Sequence, residues 1–134
     1  MARLAKVRGH VDAIGRPLVA IVSAITGDPF LATVDTGFNG ALLTSIADAP
    51  TLGVRLSDQS EQVELGDGRQ VRLRLGRLAL DWLGSRREID VYVSNEPSQS
   101  GEGRPVALIG ARLLEPNLLL IDYGAATVEI ESQA

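Results

Sequence analysis

Apolar and polar residues alternate with a period of two along much of the chain. Val63 and Leu65, then Val71, Leu73 and Leu75, are interleaved with Gln62, Glu64, Gln70, Arg72 and Arg74, the pattern of strands with one buried face. Between the two runs, Gly66, Asp67 and Gly68 suit a tight reversal, so the segment predicts a hairpin. Leu18 to Ala24 and Phe30 to Val34, joined by the turn formers Gly27, Asp28 and Pro29, predict two more strands. Leu78 to Leu83 and Ile89 to Val93 predict another two, and the tail alternates again through Leu118, Leu120, Val128 and Ile130. Helix is confined to about one turn at Ala111 to Glu115, before Pro116, and another at Ser45 to Ala49, which Pro50 stops. Asn95 to Pro105 is built from Ser, Gly, Glu, Pro and other polar residues and reads as a surface loop. The chain is an all-β domain with no repeat at solenoid periods.

The 134 residues fit a single domain spanning 1–134, long enough to bury roughly two-thirds of its unfolded surface without a metal or disulfide staple. With 45% apolar and 22% charged residues, the composition is that of an ordinary folded domain. The formal charge of -4 is spread among interspersed acids and bases, which leaves no basic footprint for nucleic acid. Pro17 to Gly27, the longest uncharged apolar stretch, is too short to span a bilayer. Arg3, Lys6 and Arg8 ahead of it resemble the flank of a leader, but Asp12, Arg16 and Pro17 interrupt the run. The absence of cysteine excludes thiolate chemistry and Cys-based zinc, suits a reducing compartment, and makes a cytoplasmic location the expectation.

Chemistry is concentrated at Asp35. It follows Ala32, Thr33 and Val34 and precedes Thr36 and Gly37, so a carboxylate is presented where an apolar strand turns sharply. An anion beside a buried strand is costly to desolvate unless it is hydrogen-bonded or shares a proton. A plain Asp-Thr-Gly turn is the competing interpretation, since all three residues favour turns. His10 is the sole histidine and has no plausible partners for a triad or a metal site. Gly66, Asp67, Gly68 and Gly101, Glu102, Gly103 begin like dinucleotide glycine runs, but each lacks the third glycine and the helix such a run opens. Asp122, just ahead of Tyr123 and Gly124, is read as structural.

From about Arg16 to about Ile130 the sequence resembles the retropepsin-like aspartic peptidases, of the bacterial single-domain type. Four pieces carry the likeness in order: Arg16, Pro17, Leu18, Val19 through Pro29; Ala32 to Gly37 followed by Ala41, Leu42 and Leu43; a flap-like hairpin around Leu65, Gly66, Asp67 and Gly68; and Ala107, Leu108, Ile109, Gly110, Ala111, Arg112, Leu113, Leu114. The resemblance implies a closed β-barrel or sandwich with a flap hairpin and one or two short helices, acting as a homodimer. It implies an endopeptidase in which Asp35 is the catalytic carboxylate, Thr36 holds the loop across the dimer axis and Gly37 allows close backbone approach. No cofactor and no metal are implied.

Because two adjacent carboxylates share a proton, one can act as base on water and the other as acid toward the carbonyl. The chain holds one Asp-Thr-Gly run, so the second carboxylate would come from a second copy. The resemblance makes Leu65, Gly66, Asp67 and Gly68 a lid over an extended peptide, and Phe38, Leu108, Ile109 and Gly110 parts of its binding surface. Phe38, Asn39 and Gly40 depart from the retroviral pattern of a small residue followed by an acid. The alternative reading is a catalytically silent module of the same fold that binds peptide or dimerises. No membrane or nucleic-acid partner is expected.

Overall fold

The structure is a computed structural model, and it describes residues 5–65, 67–98, 101 and 103–133. Ten strands and two short helices follow in the order β1 (Lys6–Val11), β2 (Pro17–Ser23), β3 (Pro29–Val34), β4 (Leu42–Ser45), α1 (Ala49–Leu52), β5 (Arg55–Glu64), β6 (Gln70–Trp82), β7 (Ser85–Ser94), β8 (Ala107–Ile109), α2 (Ala111–Leu114), β9 (Leu118–Asp122) and β10 (Thr127–Glu131). They pair in the order β5-β6-β7-β4-β8-β3-β2-β1-β10-β9, and β6 also pairs with β2. That extra ladder, Val22 to Asp81 and Ser23 to Leu80, closes β2, β3, β8, β4, β7 and β6 into a six-stranded barrel.

Period-two alternation decides which side chains fill the barrel. Ala32 and Val34 on β3, Leu42 on β4, Val91 and Val93 on β7 and Ile109 on β8 are buried and belong to one core cluster with Ile21, Leu78, Leu80 and Leu113. Their neighbours Thr33, Leu43, Tyr92 and Leu108 are only half-buried. Thr33 pairs with Leu108, Leu108 with Leu43, and Leu43 with Tyr92, so these four form one row on the outer face. The strand β2 serves two sheets: Pro17 to Val19 pair with β1, while Val22 and Ser23 pair with β6. From it, β1, β10 and β9 extend as a terminal sheet whose Val128 and Ile130 are fully buried.

Several elements differ from the sequence expectation. The hairpin and the strand expected at Leu78 to Leu83 merge into one long β6 through Gly76. The turn expected at Ser45 to Ala49 lies four residues later: Ser45 ends β4 by pairing with Ser94, and Pro50 sits inside the first turn of α1. A proline there loses nothing, because first-turn N–H groups have no helical partner. Lys6 to Val11 forms a strand, with Lys6, Arg8 and His10 outward. Leu118 and Leu120 also point outward on β9, and Leu119 and Ile121 pack against the core. No helix among the described residues is long and apolar enough to cross a membrane.

Candidate active site

The strand β3 ends at Val34, and its ladder with β8 continues one step further, with Asp35 N–H donating to the Ile109 carbonyl at 2.9 Å. Asp35 is half-buried; Thr36 and Gly37 are exposed. The Gly37 N–H donates to Asp35 Oδ1 at 3.0 Å, so one carboxylate oxygen is held by the residue two positions on. The Phe38 N–H donates to the Asp35 carbonyl at 3.1 Å and closes the turn. Side chains alternate along a strand, so Asp35 faces the same way as Thr33, out of the barrel.

Behind the loop runs the second segment singled out in the sequence. Gly110 N–H donates to the Ala41 carbonyl at 3.1 Å, Ala111 N–H to Phe38 at 2.8 Å and Arg112 N–H to Gly40 at 3.2 Å. A Cβ at Gly110 would collide with the Phe38 carbonyl and lie 2.5 Å from that of Gly40. Glycine is thus required here by backbone crowding; its φ of -123° is one any residue adopts. With β8 inserted between β3 and β4, two distant stretches of chain brace the Asp35 loop from below.

The structure brings Asp35, Thr36, Gly37, Phe38, Leu108 and Gly110 into one neighbourhood. Phe38 is buried, 6% exposed, with its ring edge-on to Tyr92 at 6.0 Å between centroids and 71° between planes. Leu108 lies on the outer face. Ile109 does not: its side chain is fully buried in the core, and only its carbonyl reaches the loop. A pocket wall at Ile109 is therefore corrected to a backbone role, because in a strand its neighbour Leu108 takes the opposite face.

Next to Thr33, Leu43 and Leu108 opens a groove of about 560 Å³, rimmed by Arg16, Glu96, Pro97 and Arg104. Asp35 is not among its lining residues, but Thr33 and Leu108, which share its face and ladder, are part of it. A second cavity of about 470 Å³ lies beside Phe30, Leu31 and Thr51. Between the two, the buried carboxylate of Asp48 accepts hydrogen bonds from the hydroxyls of Ser45 at 2.9 Å and Ser98 at 2.5 Å.

The β5–β6 hairpin turns at Leu65 to Arg69. Leu65 N–H donates to Arg69 at 2.8 Å and Gly68 N–H to Leu65 at 2.9 Å, with Gly68 at φ +86°. Asp67 accepts the Arg69 N–H at 3.0 Å and its Nε at 2.6 Å. These bonds, the backbone N–H first and the guanidinium next, hold the Asp67 carboxyl below its usual range. Gly66 lies outside the described residues, and none of the hydrogen bonds of Leu65, Asp67 or Gly68 reaches Asp35. The hairpin is linked to the loop through Tyr92 on β7, whose hydroxyl donates to Glu61 Oε2 at 3.2 Å and whose ring meets Phe38. Neither Tyr92 nor Glu61 carries a local sequence signal, since 31 positions separate them. Asp122 serves its turn by accepting the Ala125 N–H at 3.0 Å, and His10 is exposed. Among the described residues no cluster of three or more His, Asp or Glu could hold a metal.

A six-stranded barrel with a strand threaded behind an Asp-Thr-Gly loop and a projecting hairpin defines a retropepsin-like fold. Two solved structures are similar to it. A retropepsin-like aspartic protease from Rickettsia conorii aligns with a TM-score of 0.60 at 16% identity, over 96% of this chain and 92% of that one. EIAV protease, complexed with an inhibitor, aligns with a TM-score of 0.53 at 17% identity, over 78% of this chain and 89% of that one. Neither a family model nor a curated protein sequence matches the chain.

Proposed function

We propose that two copies of this chain form an aspartic endopeptidase, each contributing Asp35. The observation that carries the proposal is the placement of that carboxylate. It stands half-exposed at the end of a core strand, with its backbone tied to Ile109 and one oxygen oriented by Gly37. The exposed Thr36 and Gly37 beside it leave room for the same loop of a second copy.

With the two carboxylates close together, one proton is shared between them. The ionised member takes a proton from water as the water oxygen bonds to the scissile carbonyl carbon, and the protonated member gives its proton to the carbonyl oxygen. Collapse of the tetrahedral intermediate breaks the C–N bond as the leaving nitrogen takes the proton of the carboxyl that had deprotonated the water, while a hydroxyl of the intermediate returns its proton to the other carboxylate and restores the shared proton. An extended peptide would lie along the outer face, with a side chain in the groove at Thr33, Leu43 and Leu108. The β5–β6 hairpin would cover it, and sheet-edge backbone groups would supply its hydrogen bonds.

The test is cleavage of a peptide library by the purified protein, together with its sedimentation behaviour. The expected result is a dimer that cleaves at acid to near-neutral pH and is blocked by a statine-type transition-state mimic. Asp35→Asn should lower kcat by about a thousandfold while the dimer persists. Undiminished cleavage in Asp35→Asn refutes the mechanism, and a folded dimer that cleaves no peptide favours the silent module.

A further inference from the structure

We infer that Tyr92 is a positioning residue that clasps the β5–β6 arm to the Asp35 loop. The functional half of this inference rests on the peptidase reading above; the structural half does not.

The arm needs a tether. The strand β6 is flanked by β7 from Trp82 up to Arg74, but from Leu73 to Gln70 its partner is β5 alone. Beyond Arg74 the hairpin is thus a two-stranded ribbon, which is marginal by itself in water. Most of β5 is exposed, and its register shifts between Leu56 and Ser60, a local irregularity at the root of the arm where bending is easiest.

Tyr92 meets the arm at that root. Its hydroxyl donates to Glu61, whose register partner Leu73 is the first β6 residue past the three-stranded region. The other side of its ring contacts the loop, lying edge-on to Phe38, and Phe38 is bonded through its backbone to both Asp35 and Ala111. The wedge is full: a Cβ at Gly40 would lie 2.5 Å from the Phe38 ring and 2.7 Å from that of Tyr92. A phenylalanine would supply the same ring contact, so the hydroxyl is there for the arm. Burial first, and then the charge of Glu61, raises the Tyr92 pKa, the direction expected of a hydroxyl that donates to a carboxylate. Facing it are Glu61 from β5, Arg112 from α2 and Asp90 on its own strand; the Arg112 charge works in the opposite direction.

The experiment is amide hydrogen exchange on the full chain and on Tyr92→Phe, followed by peptide kinetics. Loss of one such bond should speed exchange across residues 60–64 and 70–73 by about fivefold, with core amides such as Val91 and Ile109 unchanged. Glu61→Ala should reproduce the effect, Glu61→Gln should largely spare it because an acceptor remains, and the double variant Tyr92→Phe with Glu61→Ala should add nothing further. In cleavage, KM should rise by about fivefold while kcat stays within about twofold, since an arm that holds peptide acts on binding. Unchanged exchange in the arm, or acceleration spread evenly over the barrel, overturns the clasp. So does an additive double variant. If the unaltered protein cleaves nothing, the peptidase reading falls, and the exchange result still decides the clasp.

Discussion

A methyl group at residue 110 would meet two carbonyl oxygens at once. Neither can yield, because the Phe38 and Gly40 carbonyls accept the Ala111 and Arg112 N–H groups. Gly110→Ala should therefore destabilise the protein by about 3 kcal/mol, near the upper end of overpacking effects, read as a lower midpoint in urea unfolding with m unchanged. The turn at Asp35, Thr36 and Gly37 is legible in the sequence because it is local, three turn-forming residues in a row closed by their own hydrogen bonds. Phe38 and Gly110 are legible as a motif, yet their contact is not, since it needs β8 to pass behind the loop. Tyr92 and Glu61 carry no local signal, and only the paired strands bring them together.

At the scale of elements, the β1–β2 turn is organised by one acid. Asp12 accepts the Ile14 and Arg16 N–H groups at 3.2 and 2.8 Å and pairs with the Arg16 guanidinium at 2.7 Å. These contacts, the Arg16 N–H foremost, lower its pKa, and the Lys6 ammonium does the same for Glu129 on β10. Both carboxyls bind protons more weakly folded than unfolded. Their contribution is therefore complete above the ordinary values of 3.8 and 4.5 and is lost as pH falls through the lower, folded ones. Urea unfolding should show stability declining below about pH 4, and Asp12→Asn should flatten that decline, losing stability at pH 7 but little at the acid end. Element types were legible wherever alternation was clean, as at Val71 to Leu75. The strand β1 alternates equally well, but its Lys6 and Arg8 give it the look of a charged flank. The strand β5, from Arg55 to Gln62, has almost no apolar face, and pairing with β6 is what makes it a strand.

At the scale of the molecule, barrel closure depends on the short β2–β6 ladder, which no local pattern announces because its partners are almost sixty residues apart along the chain, as Val22 and Asp81 are. The all-β fold class is readable from alternation alone. The order of the strands is not, since period two says which face is buried but not which neighbour lies alongside. The terminal sheet completes the core through Val128 and Ile130. Ile130→Ala should cost about 3 kcal/mol in equilibrium unfolding, whereas Leu120→Ala on the exposed face of β9 should change stability by under about 0.5 kcal/mol.

That the last strand is wedged between β1 and β9 of its own chain bears on how the molecule would be trimmed. Nicking after Ser132 leaves every ladder bond of β10 in place. A cut before Val128 takes Val128 and Ile130 out of the core, so an endoproteolytic nick there should be followed by loss of the fold, seen as loss of the cooperative unfolding transition.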